Sequence, residues 1–236
     1  FQTAFLFLKF IYLALILNIE TATKNCSVSI SQNGSVLVLK ELNNENYSHA
    51  EKLHLFIEAV LKEAKLLPNE LDAIAVSKGP GSYTGLRIGV SAAKGLCFAL
   101  DKPLISIETL TALVHSFSVE KGTIVPMLDA RRMEVYAAVF DENYQAIREI
   151  QAEIIEPTSF QEYLEKAPVY FLGDGAAKCK PIITHKNAFF IENKFPSAKE
   201  MANLSFQKYS KQQFEDVAYF EPFYLKDFVA VPQKKR

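Results

Sequence analysis

Ser77-Lys-Gly-Pro-Gly-Ser-Tyr-Thr-Gly-Leu-Arg-Ile-Gly-Val-Ser-Ala-Ala-Lys-Gly-Leu-Cys-Phe-Ala-Leu100 holds five of the nine glycines of this 236-residue chain, and its reading decides the fold. Just before it, Ile74-Ala-Val76 is a short apolar run of the kind that forms a buried strand. Gly79-Pro80-Gly81 is turn chemistry, and residues 84–100 have the apolar content of a helix with Ser82 or Thr84 as N-cap. The unit is strand, tight loop, helix. Such a loop offers free backbone N–H groups at the positive end of a helix dipole, which suits an anion. The spacing argues against the common nucleotide signatures: glycines at 79, 81 and 85 are not G-x-G-x-x-G, and no Gly-Lys-Ser/Thr follows.

Plotted at about 100° per residue, Gly85, Gly89, Ala92 and Ala99 share one narrow stripe with Leu96, beside an apolar face of Leu86, Val90, Ala93, Cys97 and Leu100. Only Arg87, Ser91 and Lys94 make a polar strip. A helix apolar over most of its circumference needs cover on two sides: its own sheet on one, and on the other a helix of the same chain or a partner protein. The preceding segment opens with the capping box Ser48-His-Ala-Glu51 and carries Leu53, Phe56, Ile57, Val60, Leu61 and Ala64 on one core-facing stripe. Leu55, Ala59 and Leu66 lie opposite, flanked by Lys52, Lys62 and Glu63. Two neighbouring helices, 48–66 and 84–100, with apolar surface beyond what one sheet covers read as a helix-on-helix protein interface. The expected interface residues are Leu55, Ala59, Leu66, Gly85, Leu86, Gly89, Val90, Ala92 and Ala93.

Net charge is −1, with one basic cluster at Lys234-Lys235-Arg236, so the counterion release that drives nucleic-acid binding is weak for this chain alone. Any RNA contact is expected through a partner. Cys26, Cys97 and Cys179 are odd in number and set in apolar surroundings, which fits reduced cytoplasmic thiols and neither a disulfide frame nor a zinc site. His49 and His54 are five apart, about 140° around a helix, and do not face a common ion as an i, i+4 pair would. Residues 4–17 are apolar around Lys9 but fall short of the ~20 residues that span a bilayer. No basic region precedes them, and Ala14-Leu-Ile-Leu-Asn-Ile19 reads as a buried first strand. No membrane association is expected, and residues 1–12 are expected to be an upstream extension or artefact.

Strands are expected at 26–31 and 35–40, joined through Asn33-Gly34, the preferred type I′ hairpin turn. The first half continues with helix 48–66, strand 73–77, helix 84–100, strand 104–107 and helix 108–118. The second half repeats that order: strands 123–128, 133–140 and 145–154, helix 157–166, strands 169–172 and 189–191, and a helix to about Lys211 opened by the capping box Ser197-Ala-Lys-Glu200. The fold class is therefore α/β, two successive βββαβα units duplicated in architecture without visible sequence identity. That pattern suggests paired ribonuclease-H-like domains with mixed sheets and flanking helices, the actin, sugar-kinase and Hsp70 plan, at 13–118 and 119–236, with a cleft between them.

Residues 77–100 closely resemble the corresponding segment of the TsaB (YeaZ) family, bacterial relatives of the TsaD threonylcarbamoyltransferase. Further matches are Ile16-Leu-Asn-Ile-Glu-Thr-Ala-Thr23, Asp129-Ala-Arg-Arg-Met-Glu-Val-Tyr136, Gly173-Asp-Gly-Ala176, Pro196-Ser-Ala198 and Pro222-Phe-Tyr-Leu225, which together span roughly 14–228 in order. The resemblance implies a noncatalytic subunit, with no cofactor or metal of its own, that pairs with TsaD and acts with the ATPase TsaE in placing threonylcarbamoyl on the adenosine beside the tRNA anticodon. It implies a homodimer when alone, tRNA contact only through the complex, and a cytoplasmic location. TsaD-like relatives hold a metal through H-x-x-x-H; the matching positions here are Thr109 and Leu113, neither of which replaces an imidazole. ATPases of this fold carry Asp-x-Gly-Thr after the first strand, where this chain has Glu20-Thr21-Ala22-Thr23 and no glycine to admit phosphate. A vestigial nucleotide cleft would comprise Glu20, Thr21, Thr23, Asp129, Gly173 and Gly175. Asp129 reads either as a Mg²⁺-associated carboxylate or as an ion-pair partner of Arg131 and Arg132, and Gly173-Asp174-Gly175 either as a nucleotide loop or as a strand-to-helix turn. The competing function is an independent ATP-dependent phosphotransferase or metallopeptidase of the same fold.

Overall fold

The computed structural model describes residues 13–43 and 49–226. The first half runs β1 (Leu15–Glu20), β2 (Asn25–Gln32), β3 (Ser35–Asn43), α1 (His49–Ala64), β4 (Ala73–Gly79), α2 (Tyr83–Leu100), β5 (Leu104–Glu108) and α3 (Thr109–Val114). The second runs β6 (Thr123–Asp129), β7 (Glu134–Phe140), β8 (Ala146–Ile154), α4 (Gln161–Leu164), β9 (Val169–Leu172), α5 (Ala176–Cys179), β10 (Ala188–Ile191) and α6 (Ala198–Ser210). Strand order is β3-β2-β1-β4-β5 in one sheet and β8-β7-β6-β9-β10 in the other. In both, the first three strands pair antiparallel and the last two join in parallel. Tight turns serve the antiparallel pairs, whereas the parallel joins need crossovers, and α1, α2, α4 and α5 supply them. The duplication read from element order is thus present strand for strand, in an α/β fold of the actin-like, ribonuclease-H-like class.

Period-two alternation divides each strand between two layers. Leu17, Ile19, Ile74, Val76 and Leu104 face α1 and α2, where they meet Leu53, Ile57, Val60, Val90, Ala93 and Cys97. Ile16, Ala73, Ala75, Ile105 and Ile107 face the other way and pack with Met201 of α6. Helix α6, late in the sequence, therefore covers the first sheet. Its seat is partly polar: Ser205 Oγ donates to Asn18 Oδ1 (2.7 Å), Ser29 Oγ to Ala198 O (2.8 Å), and Ala198 N to Ser27 Oγ (2.9 Å). Helix α3 joins the two halves, with Ala112 against the first sheet and Leu110, Leu113 and Val114 against Ile124, Leu128 and Phe140 of the second.

Local signals hold in most places. Asn33 and Gly34 both have positive φ, 51° and 83°, as a type I′ turn requires. Ser82 is the N-cap of α2, accepting from Gly85 N at 3.3 Å. Three expectations are corrected. The helix expected over 108–118 is only Thr109–Val114, and that expected over 157–166 is Gln161–Leu164, with turns taking up the remainder. The box at Ser197 is half formed: Ser197 Oγ accepts from Lys199 N, but Glu200 Oε2 is buried without a partner and does not reach back. The capping box at Ser48 and the segment 1–12 lie outside the described residues. Among the described residues no helix is long and apolar enough to cross a membrane.

Candidate functional site

Three of the five glycines of the deciding segment fall at 81, 85 and 89, four apart, and all three meet the turn that leaves β1. A Cβ on Gly81 would lie 2.5 Å from Ala22 O, one on Gly85 would overlap Thr21 O, and one on Gly89 would overlap Thr21 Oγ1. Thr21 Oγ1 donates to Gly85 O at 2.8 Å, and Ser82 N to Ala22 O at 2.7 Å. Small residues do admit a second backbone here, but it is the chain's own. Gly85 and Gly89 are therefore buried contacts of the fold, which corrects their expected place in a partner interface. Leu86, Val90 and Ala93 are corrected likewise: they are 1%, 4% and 0% exposed, because their stripe faces the sheet.

The remaining interface candidates stand on or near the surface. Leu55 is 56% exposed, Ala59 and Ala92 are partly exposed, and Leu66 is half-buried at the edge of the core. Between the first turns of α1 (Ala50, His54) and α2 (Tyr83, Thr84, Arg87, Ile88, Ser91, Ala92) runs an open groove of about 640 Å³. Farther along α2, Gly95 has open space where a Cβ would stand, and Phe98 is 86% exposed. The outer side of the helix pair thus offers apolar and small residues, Leu55 and Ala59 on α1 and Ala92, Gly95 and Phe98 on α2, with the exposed charges Glu51, Glu58, Lys62 and Glu63 among them on α1.

At the end of β1, Glu20 is fully buried. Its Oε1 accepts from Ala22 N (2.6 Å) and Ser77 Oγ (2.8 Å), while Oε2 has no partner. Burial pushes the carboxyl up to about 7, against the opposing pull of those hydrogen bonds. The buried carboxyl thus takes up the Ala22 amide of the loop that leaves β1. Thr21 is spent on α2, and Thr23 Oγ1 accepts from Asn25 N. Across the cleft, Asp129 pairs with Lys178, not with the expected Arg131 and Arg132 side chains; only the Arg131 backbone N–H reaches it, at 2.8 Å. Lys178, one turn into the short α5, was missed because nothing in its spacing points at a residue 49 positions earlier. Asp174 accepts from Asp129 N at 3.0 Å, and burial raises its carboxyl. Gly173 has φ +105° and a Cβ there would overlap Met127 O, while Gly175 abuts Leu128. Both glycines serve a tight strand-to-helix turn.

Metal ligation of the kind the fold family uses does not fit the residues at the matching positions. Thr109 and Leu113 are both fully buried, and Leu113 packs toward Gly173 in the core between the halves. Among the described residues no group of three or more His, Cys, Asp or Glu is placed to hold a metal ion. The three cysteines are free and buried, with burial pushing Cys26 and Cys179 to about 11 and Cys97 to about 12, far from a reactive thiolate.

The family model for TsaD, tRNA N6-adenosine threonylcarbamoyltransferase, matches residues 43–233. The chain therefore belongs to this threonylcarbamoyltransferase-like family of actin-like proteins. Within it, the chain groups with the TsaB (YeaZ) proteins: it is 29% identical over 225 residues to the tRNA threonylcarbamoyladenosine biosynthesis protein TsaB of Haemophilus influenzae, covering 91% of this chain and 94% of that one. The tRNA N6-adenosine threonylcarbamoyltransferase of Staphylococcus haemolyticus is 35% identical over 129 residues, 48% of this chain and 38% of that enzyme. A Pseudomonas aeruginosa crystal structure described as similar to peptidase YeaZ has the same fold, with a TM-score of 0.80 at 23% identity over 90% of this chain and 100% of that one.

Proposed function

We propose that this chain is the noncatalytic docking subunit of tRNA threonylcarbamoyladenosine biosynthesis, pairing through α1 and α2 with a TsaD-type transferase. The observation that carries this reading is the set of apolar and small side chains left wholly or partly exposed on the helix pair, Leu55 and Ala59 on α1 and Ala92, Gly95 and Phe98 on α2. The family match supports this choice of occupant: the transferase model runs across both helices, and an enzyme with an equivalent pair would meet them about a pseudo-twofold axis. The same surface serves a second copy when the transferase is absent. TsaE and tRNA join through the assembly, in the cytoplasm, where buried reduced thiols are stable. The unit built on the first sheet docks and the unit built on β6–β10 braces the cleft; the expected boundary of 13–118 and 119–236 is modified in that α6 and the segment after it pack on the first unit.

An independent phosphotransferase or metallopeptidase is not favoured, since the Ala22 amide is held by Glu20 and the metal positions are Thr109 and Leu113. The deciding experiment is Leu55→Glu. Placing an unpaired carboxylate in a desolvated contact is costly, whereas in the free chain the side chain stands in water. The variant is expected to fold and melt like wild type and to lose at least about tenfold in affinity for the purified transferase, a penalty of about 1.4 kcal/mol or more. Undiminished binding and normal tRNA modification in the reconstituted system would refute the docking face.

A further inference from the structure

The chain does not stop at α6. Residues 212–226 turn back and run across the first half as a strap. Glu215 N donates to Leu104 O at 2.9 Å, and Ser106 Oγ donates to Glu215 Oε1 at 2.5 Å, tying the strap to β5. Val217 and Phe220 pack against the core under α2, and Lys94 Nζ of α2 donates to Ala218 O (3.1 Å) and Phe220 O (2.9 Å). Phe223 N then donates to Lys78 O at 2.7 Å. Gly79 marks the crossing point: at φ +113° it lacks a Cβ that would stand 2.6 Å from Phe223 O. The first glycine of the deciding segment makes room for the far end of the chain.

The strap ends on the groove. The Tyr224 ring lies 4.9 Å from that of Tyr83, inclined by 36°. Arg87 Nη1 in turn donates to Tyr83 Oη at 2.9 Å, and its guanidinium lies 5.4 Å from the Tyr83 ring centre. Tyr83 and Arg87 line the groove; Tyr224 does not. These two are the largest side chains along the α2 side of the groove, and both have exposed faces, so their rotamers are set by what they stack on. Tyr224 contributes to that support from outside, through Tyr83.

We infer that the strap belongs to the docking surface: Tyr224 is a positioning residue that, by stacking on Tyr83, fixes the Tyr83–Arg87 wall against which a helix of the transferase packs. This rests on the proposed reading of the groove. A preformed wall spares the ordering cost that mobile side chains would add on binding. The test measures affinity for the purified transferase by calorimetry with full-length wild type, Tyr224→Ala, Tyr224→Phe, Tyr83→Ala, the Tyr83→Ala/Tyr224→Ala double variant and Leu55→Glu, each checked by thermal melting. Tyr224→Ala is expected to weaken binding by about tenfold with Tyr224→Phe restoring it, and the double variant to be no weaker than Tyr83→Ala alone, as for coupled residues. Tyr224→Leu, which keeps apolar bulk without the ring, replaces the alanine variant if that one melts early, with the same expected loss. Wild-type affinity in both Tyr224→Ala and Tyr224→Leu, with Leu55→Glu inactive in binding, would overturn the strap's role and leave the docking face standing. Wild-type affinity in Leu55→Glu would remove the docking face itself, and the inference with it.

Discussion

The two halves of the molecule share a strand order and differ in what lies on their outer faces. In the first half the crossovers are helices of 16 and 18 residues, α1 and α2. In the second, the equivalents α4 and α5 have four residues each. The second sheet closes its outer face with rings instead: Phe160 meets Phe171 edge-on at 5.5 Å, Phe171 stacks with Phe190 at 5.0 Å, and the Arg148 guanidinium covers Phe160 at 4.6 Å. A single helical turn pressed onto a sheet has no second side to offer. A long helix buries one stripe and carries another clear of the sheet, and if that other stripe is apolar it seeks a partner. The duplication supplied the frame, and helix length in one copy supplied the face proposed for docking.

The sharpest way to break this comparison is to disturb the seat of α2. Gly89→Leu would drive a side chain into Thr21 and disrupt the Thr21–Gly85 hydrogen bond. It is expected to cost about 4 kcal/mol or more, at the upper end of single-substitution effects, and to leave little folded protein in a urea titration. If the variant instead folds normally and loses only its partner, α2 is seated differently from the arrangement described. Gly173→Ala probes the second half in the same way, through a positive φ of 105° and an overlap with Met127 O. A loss of roughly 2–3 kcal/mol is expected for strain of this kind, measurable by the same titration, with affinity for the transferase unchanged in the folded fraction.

The cleft yields a pH signature. The folded chain keeps a proton on Glu20 up to about pH 7, while the unfolded chain releases it near the ordinary value of 4.5. The native state thus binds more protons between these values, and stability falls as pH rises through that window. Glu20→Gln retains an acceptor for Ala22 N and Ser77 Oγ without the buried charge. It is expected to flatten this dependence and to exceed wild type by about 2–3 kcal/mol above pH 7, with near equality at pH 4.5; parallel denaturation curves at pH 5 and pH 8 check it. The smallest expected effect lies on the exposed side of α2. Gly95→Ala enters open space and should stabilise the helix by about 0.5–1 kcal/mol, seen as a small rise in melting temperature. A loss instead would mean that this side of α2 is covered in the free protein.

Much of this architecture was legible from local chemistry. Asn33-Gly34 announced its hairpin, Ile74-Ala-Val76 its buried strand, Ser82 or Thr84 a cap that the structure gives to Ser82, and the repeated order of elements the paired sheets, because turn dihedrals, capping and periodicity act over a few residues. The short helices α3 and α4 were overestimated, since apolar periodicity runs on past the point where the chain must turn to reach the next sheet. The candidate site was legible only in part. Leu55, Ala59 and Ala92 kept their surface positions, but Gly85 and Gly89 were given to a partner when their spacing of four, continued back to Gly81, matched a stripe laid against Thr21 and Ala22.

What the residues alone determined was the strands and the long helices, though not α5 or the extents of α3 and α4, and that α1 and α2 carry more apolar surface than one sheet can absorb. Which of that surface stays uncovered was decided by tertiary contacts. Thr21 fills the glycine stripe from 64 positions away, α6 crosses back to seal the first sheet, and the strap brings Tyr224 onto Tyr83. A small or apolar side chain has the same local signature whether its neighbour is its own chain or another, and only the path of the backbone through space assigns the neighbour.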